Sequence, residues 1–223
     1  MQGLIYSQVQ ARHCYLHDRG HPAGNRQFRL FVFSRLFGQV QGVKDGFITF
    51  LGNVKFRVGS PIRGFLQDLG QALLNAGEVS LGPSRWRVAR VSALADPVFS
   101  ESRVTFEALS PVTVYSTLVT GSGRKKTYYF HPSENEFKDL LEQNLQRKGQ
   151  ALGIDDSVVR DIRLVSFKVR NHDLKVVYYK DVVVKGWMGQ FTLEGHRWML
   201  KLAYDTGIGA KNSQGFGMIT PIQ

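Results

Sequence analysis

Gly207-Ile208-Gly209-Ala210-Lys211-Asn212-Ser213-Gln214-Gly215-Phe216-Gly217 is the stretch that decides how this chain is read. Two Gly-x-Gly pairs enclose a polar segment with one lysine. Glycine lets the backbone take positive φ and come close to a ligand or a neighbouring segment. Bare amides beside a lysine suit an anion, most often a phosphate. The spacing is not that of a dinucleotide fingerprint or a Walker loop, because a strand rather than a long helix is predicted to follow.

Composition narrows the partner. The 223 residues carry a formal net charge of +11, with 43% hydrophobic and 21% charged residues. A core of ordinary size is therefore available, and the excess charge implies a polyanion. Nucleic acid is favoured over an acidic membrane face because the charge accompanies 12% aromatic residues and the glycine loop. A single cysteine, Cys14, excludes an internal disulfide and a cysteine metal cluster. No apolar run reaches the length of a membrane span. The expected setting is the cytoplasm, with no membrane partner, no cofactor and no metal. The 18 carboxylates form no obvious cluster for two-metal chemistry.

Working back from the loop, Trp198–Tyr204 reads as a helix and 216–222 as a last strand. Further upstream come strands at 111–115, 162–169 and 176–184. A helix carries Phe137, Leu140, Leu141 and Leu145, with Ser133 and Glu136 as its capping box. This order is β-α-β-β-α-β, the ferredoxin-like plan. The first half reads α-β-β-α-β. A helix over 2–16 precedes a strand at 28–34, then a hairpin turning at Gly52-Asn53, a helix from Pro61 to about Asn75, and strands at 86–91 and 104–109. The expected fold is α+β with tandem ferredoxin-like (RRM-like) domains, residues 1–109 and 110–223, the first without its N-terminal strand. Such a gap in mid-sheet suggests that the chain starts late or that another segment or a partner fills it.

Tandem ferredoxin-like halves ending in Gly-x-Gly-x5-Gly-x-Gly resemble the CRISPR-associated Cas-six family of repeat RNA endoribonucleases, in the RAMP superfamily. The most specific part is Tyr204 to Met218. Gln2-Gly3-Leu4-Ile5-Tyr6, Leu16-His17-Asp18, Phe31-Val32-Phe33-Ser34, Leu109-Ser110-Pro111 and Pro132 to Lys148 are similar too. The resemblance implies cleavage without a metal: the ribose 2′-hydroxyl attacks the adjacent phosphate, leaving a 2′,3′-cyclic phosphate and a 5′-hydroxyl. Implied partners are CRISPR repeat RNA and effector-complex subunits, with the protein a monomer or homodimer. A rival reading is a non-catalytic subunit that only holds repeat RNA. A general RRM-like binder ranks below it, since no aromatic RNP consensus is evident.

Internal attack needs a base for the 2′-hydroxyl, an acid for the leaving 5′-oxygen and positive charge at the phosphate. Histidine suits the proton steps, with an unperturbed pKa of ~6.5. His13, His17 and His21 cluster in sequence. Each alone is most simply a polar residue at a helix edge, and the match of Leu16-His17-Asp18 to the family selects His17, with the other two held in reserve. Tyr6 matches a family tyrosine, and it either orients the RNA or anchors the helix. Arg29 stands where the family often has a catalytic lysine. Arginine, with a pKa above ~12, is a poor proton donor but a good phosphate clamp. The residue is thus either a transition-state stabiliser or a solvent-facing strand arginine, with Arg26 and Arg35 able to take its place. Gly207, Gly209, Lys211, Asn212, Ser213, Gly215 and Gly217 are expected to support RNA binding and the packing of the two halves. Arg85 and Arg87 share a strand face that could track phosphates.

Overall fold

The computed structural model describes residues 1–9, 20–24, 26–119, 121, 123–179 and 182–222. In chain order the first half holds helix α1 over 2–9. Strands β1 (His21–Ala23), β2 (Arg26–Phe28), β3 (Val32–Phe33), β4 (Phe37–Lys44), β5 (Phe47–Lys55) and β6 (Val58–Gly59) follow. Then come helix α2 (Arg63–Ala76) and strands β7 (Glu78–Leu81) and β8 (Ser84–Arg87). The second half holds β9 (Arg103–Ala108), β10 (Tyr115–Val119), β11 (Lys125–Tyr129), α3 (Asn135–Ala151) and the short α4 (Asp156–Val159). It ends with β12 (Arg163–Lys168), β13 (Leu174–Tyr179), β14 (Val182–Trp187), β15 (Gln190–Glu194), α5 (Arg197–Thr206) and β16 (Ile219–Pro221).

The second half is a ferredoxin-like unit in its pairing as well as its order. Its antiparallel sheet runs β12-β15-β9-β16, which is the 2-3-1-4 arrangement of a β-α-β-β-α-β unit. Helices α3 and α5 cover one face because their apolar residues recur at helical spacing. Phe137, Leu141 and Leu145 of α3 and Met199 and Ala203 of α5 are fully buried against Phe106 and Phe191 of the sheet. Burying each large side chain contributes roughly 1.5–3 kcal/mol. The first half packs α1 and α2 on the β3–β6 pair, with Ile5, Val9, Phe31, Phe33, Phe65 and Leu69 as its core. Among the described residues, no helix is long and apolar enough to cross a membrane.

Several local expectations are corrected. The strand expected at 104–109 belongs to the second sheet, where β9 sits between β15 and β16. A division at 109/110 would cut it from both neighbours, so a boundary ahead of Arg103 fits the pairing better. The segment 111–115 does not hold the central place. Pro111 has no N–H to donate, and Val112 makes only an isolated bridge to Trp187. The stretch 176–184 is a hairpin of β13 and β14, not one strand. The first-half hairpin turns at Asp45-Gly46, where both residues have positive φ as a type I′ turn requires. Gly52-Asn53 instead lies where the β4–β5 register shifts. The residue preceding α3 is Glu134, and no side-chain cap is made there, so Ser133 does not form the expected capping box. The Glu134 carboxylate accepts from the His131 amide at 2.8 Å. Residues 10–16 of the expected first helix lie outside the described residues.

Candidate nucleic-acid interface

The strand expected over 28–34 is broken, and the break builds the site. β2 ends at Phe28 and β3 begins at Val32. Between them Leu30 takes φ of 41°, a conformation that costs a non-glycine residue of order ~1–3 kcal/mol. The surroundings hold it: the side chain is buried and its carbonyl accepts from the buried Ser60 hydroxyl at 2.8 Å. The kink turns Phe28, Arg29, Leu30 and Phe31 toward one cleft.

The opposite wall comes from the glycine loop. Gly207 ends α5 with φ of 75°, and Asn212–Gln214 form a single 3-10 turn flanked by Lys211 and Gly215, both left-handed. The amide of Asn212 organises this loop. Its Nδ2 donates to the carbonyls of Ile208 (3.1 Å) and Phe216 (3.0 Å), and its Oδ1 accepts from Lys148 Nζ at 2.7 Å. The glycines dock the loop onto both halves. A Cβ on Gly215 would lie 2.6 Å from the Phe33 ring, and one on Gly209 would lie 2.5 Å from the Thr113 carbonyl. The backbone continues the junction: Gly217 N donates to Pro111 O at 2.8 Å and Ala210 N to Thr113 O at 2.8 Å. The segment expected as a strand at 111–115 thus serves as the loop's dock.

Between these walls lies a cleft of about 210 Å³ lined by Arg29, Tyr115, Lys148, Lys211, Ser213 and Gln214, among others. Three of those residues are cations and none is a carboxylate. The Lys211 ammonium sits 5.0 Å from the centre of the Tyr115 ring, a cation–π contact. Lys148, which is not among the residues the sequence points to, is the most unusual group here. It is 2% exposed on α3, and its Nζ donates to the carbonyl of Gly207 and to Asn212 at 2.7 Å each. A longer contact reaches the Thr206 carbonyl at 3.4 Å. The ammonium thereby satisfies the last carbonyls of α5, where the helix dipole favours a cation. Burial pushes its pKa down to about 7. A sequence signal existed: Phe137, Leu141, Leu145 and Lys148 follow a 4-4-3 spacing, which puts a lysine on the buried stripe.

The cleft gathers Arg29, Lys211, Asn212 and Ser213 of the expected residues, while Gly207, Gly209, Gly215 and Gly217 act as its framework. Tyr6 lies one ring behind the wall, edge-on to Phe31 with ring centres 5.6 Å apart. His21 sits on β1 opposite Phe28, next to the Arg29 position. Arg85 and Arg87 are exposed on β8 and do not line the cleft. His17 and His13 lie outside the described residues.

Residues 94–221 match the family model described as CRISPR associated protein Cas6, C-terminal. The chain belongs to the Cas6 family. Similar proteins include the CRISPR-associated endoribonuclease Cas6 of Pyrococcus furiosus, 29% identical over 98% of this chain and 80% of the relative. CRISPR-associated endoribonuclease Cas6 1 of Methanocaldococcus jannaschii is 25% identical over 100% of this chain and 85% of the relative. Among solved structures, a RAMP protein described as binding different RNA substrates superposes with a TM-score of 0.81. It is 20% identical and covers 100% of this chain and 90% of its own, a likeness of fold. The α+β architecture with tandem ferredoxin-like halves is thus the Cas6 architecture, and the cleft lies at the junction of the halves.

Proposed function

We propose that this Cas6-family chain is a metal-independent endoribonuclease that cuts CRISPR repeat RNA at the cleft between its halves. The carrying observation is the convergence there of Arg29, Lys148 and Lys211, with no carboxylate among the described residues of the lining. Such a lining attracts a phosphodiester and repels a divalent metal. The relatives named endoribonucleases support the reaction class.

In the proposed step a base removes the proton of the ribose 2′-hydroxyl, and the 2′-oxygen bonds to phosphorus. The P–O5′ bond breaks, and an acid delivers a proton to the departing 5′-oxygen. The products are a 2′,3′-cyclic phosphate and a 5′-hydroxyl. His17 is the proposed acid–base, on its match to the family motif. Arg29 is assigned to charge on the equatorial phosphate oxygens, where fixed cations in a water-poor site act most strongly. Tyr6 is assigned to orientation, through its contact with the Phe31 wall.

The test is cleavage of the repeat RNA of the protein's own locus in excess EDTA. It decides more than a formality. His13 and His17 stand four residues apart, a spacing that on a helix can also place two imidazoles on a metal. Product formed in chelator supports the proposal. Tight binding with no product would make the chain a repeat-RNA-holding subunit instead.

A further inference from the structure

Lys148 does more than end α5. Among the described residues its ammonium meets neutral acceptors: the Gly207 and Thr206 carbonyls and the Asn212 amide oxygen. Among the described residues no carboxylate pairs with it. Among the described residues, the other charged side chains of the cleft, Arg29 and Lys211, are also cations, and Tyr115 lies on the same wall. From β1, which packs on α3, comes His21. On α5, Lys201 and Asp205 are paired with each other. On α4, Asp156 is paired with Arg160. From β12 come Arg163 and Lys168, two further cations. On α3 itself, the Glu142 carboxylate accepts from the Leu164 amide at 2.8 Å. A buried cation with no counter-charge among the described residues, placed in the wall of an open cleft, is suited to an anion.

Resting on the RNA reading above, we propose that Lys148 couples RNA binding to proton uptake: a phosphodiester seated between Arg29 and Lys211 supplies the missing counter-charge and holds Lys148 protonated. The chemistry is the ordinary rule that an opposite charge within ~4–6 Å favours the ionised form. With burial holding the free lysine at about 7, it is mostly neutral in mildly alkaline solution and must gain a proton when the phosphate arrives. Linkage then makes affinity fall by up to ~tenfold per pH unit above that value. A phosphate favours the charged form of a nearby imidazole by the same rule, so loss of the uptake in a Lys148 variant is what assigns the proton to this lysine.

The experiment is titration calorimetry of the unaltered protein with fully 2′-O-methylated repeat RNA of its own locus, which binds but cannot be cut. Runs in two buffers of different ionisation enthalpy give the proton count, and fluorescence anisotropy gives affinity independently. The expected result is about one proton gained per complex near pH ~8.5, dwindling below pH ~6.5 where the free lysine is already charged. Lys148→Met should lose both the uptake and the pH slope, and Lys211→Gln should weaken binding while keeping them. Binding with no uptake in the unaltered protein, or the same uptake in Lys148→Met, overturns the inference and leaves the RNA reading intact. No binding by anisotropy overturns the RNA reading and this inference with it.

Discussion

Replacing Asn212 with alanine should be among the most damaging single substitutions in the chain, although Asn212 contributes no charge. The side chain makes three hydrogen bonds, to Ile208 O, Phe216 O and Lys148 Nζ. Ile208 and Phe216 are 0% and 3% exposed, so their carbonyls have little access to water. Each buried polar group left without its partner costs ~1–3 kcal/mol, and an acceptor lost from an ammonium lies at the upper end. The sum is roughly 3–6 kcal/mol, a large part of the ~5–15 kcal/mol that holds a domain folded. For a chain of this size that is a fall in Tm on the order of 10–20 °C. Urea denaturation followed by circular dichroism would show a lower midpoint at unchanged slope. Asn212→Asp serves as a companion: it keeps an acceptor for Lys148 but turns an oxygen toward two carbonyls, so its loss should be intermediate. A change below about 1 kcal/mol in Asn212→Ala would refute the view that this amide holds the glycine loop.

Gly215→Ala combines a φ of 93° with a Cβ 2.6 Å from the Phe33 ring, and should destabilise by roughly 2–5 kcal/mol in the same denaturation assay. Gly64→Ala on α2 meets nothing within 4 Å and should instead stabilise by ~0.5–1 kcal/mol. Lys148 also makes stability depend on pH. Its folded pKa of about 7 lies below the ordinary 10.5, so between those values the unfolded chain binds the extra proton. Stability should therefore rise with pH from about 7 to 10.5, by on the order of 4–5 kcal/mol, and Lys148→Met should lose that part of the profile when the two are compared. Arg29→Ala should slow single-turnover cleavage at least ~10²-fold, the usual cost of a lost transition-state charge contact, whereas Arg29→Lys should retain much of it.

How much of this was legible beforehand differs by element. The apolar stripes of α3 and α5 and the closing glycine loop are strong periodic or compositional signals, and they carry the second half of the fold. The strand pairings are not local. Nothing in Arg103–Ala108 alone says that it will sit between β15 and β16 rather than close the first sheet. Leu30 illustrates a second limit. A run of aromatic and β-branched residues reads as one strand, and the kink exists because Ser60, thirty residues away, grips the Leu30 carbonyl. Lys148 illustrates a third. Its position on the helix stripe was readable, but its partners come from Gly207 and Asn212, about sixty residues later. Asn212 reads in sequence as a ligand-facing polar residue, yet its amide is spent on Lys148, Ile208 and Phe216.

The central claim is cleavage by the RNA's own 2′-hydroxyl, and end-mapping in EDTA tests it most directly. Repeat RNA of the same locus should be cut at one position in excess chelator, leaving a 2′,3′-cyclic phosphate and a 5′-hydroxyl. A 2′-deoxy nucleotide before the cut should abolish the product while sparing binding, and His17→Ala should slow it by ~10²–10⁴-fold. Product that forms only with added divalent metal, or that carries a 3′-hydroxyl and a 5′-phosphate, would contradict the account.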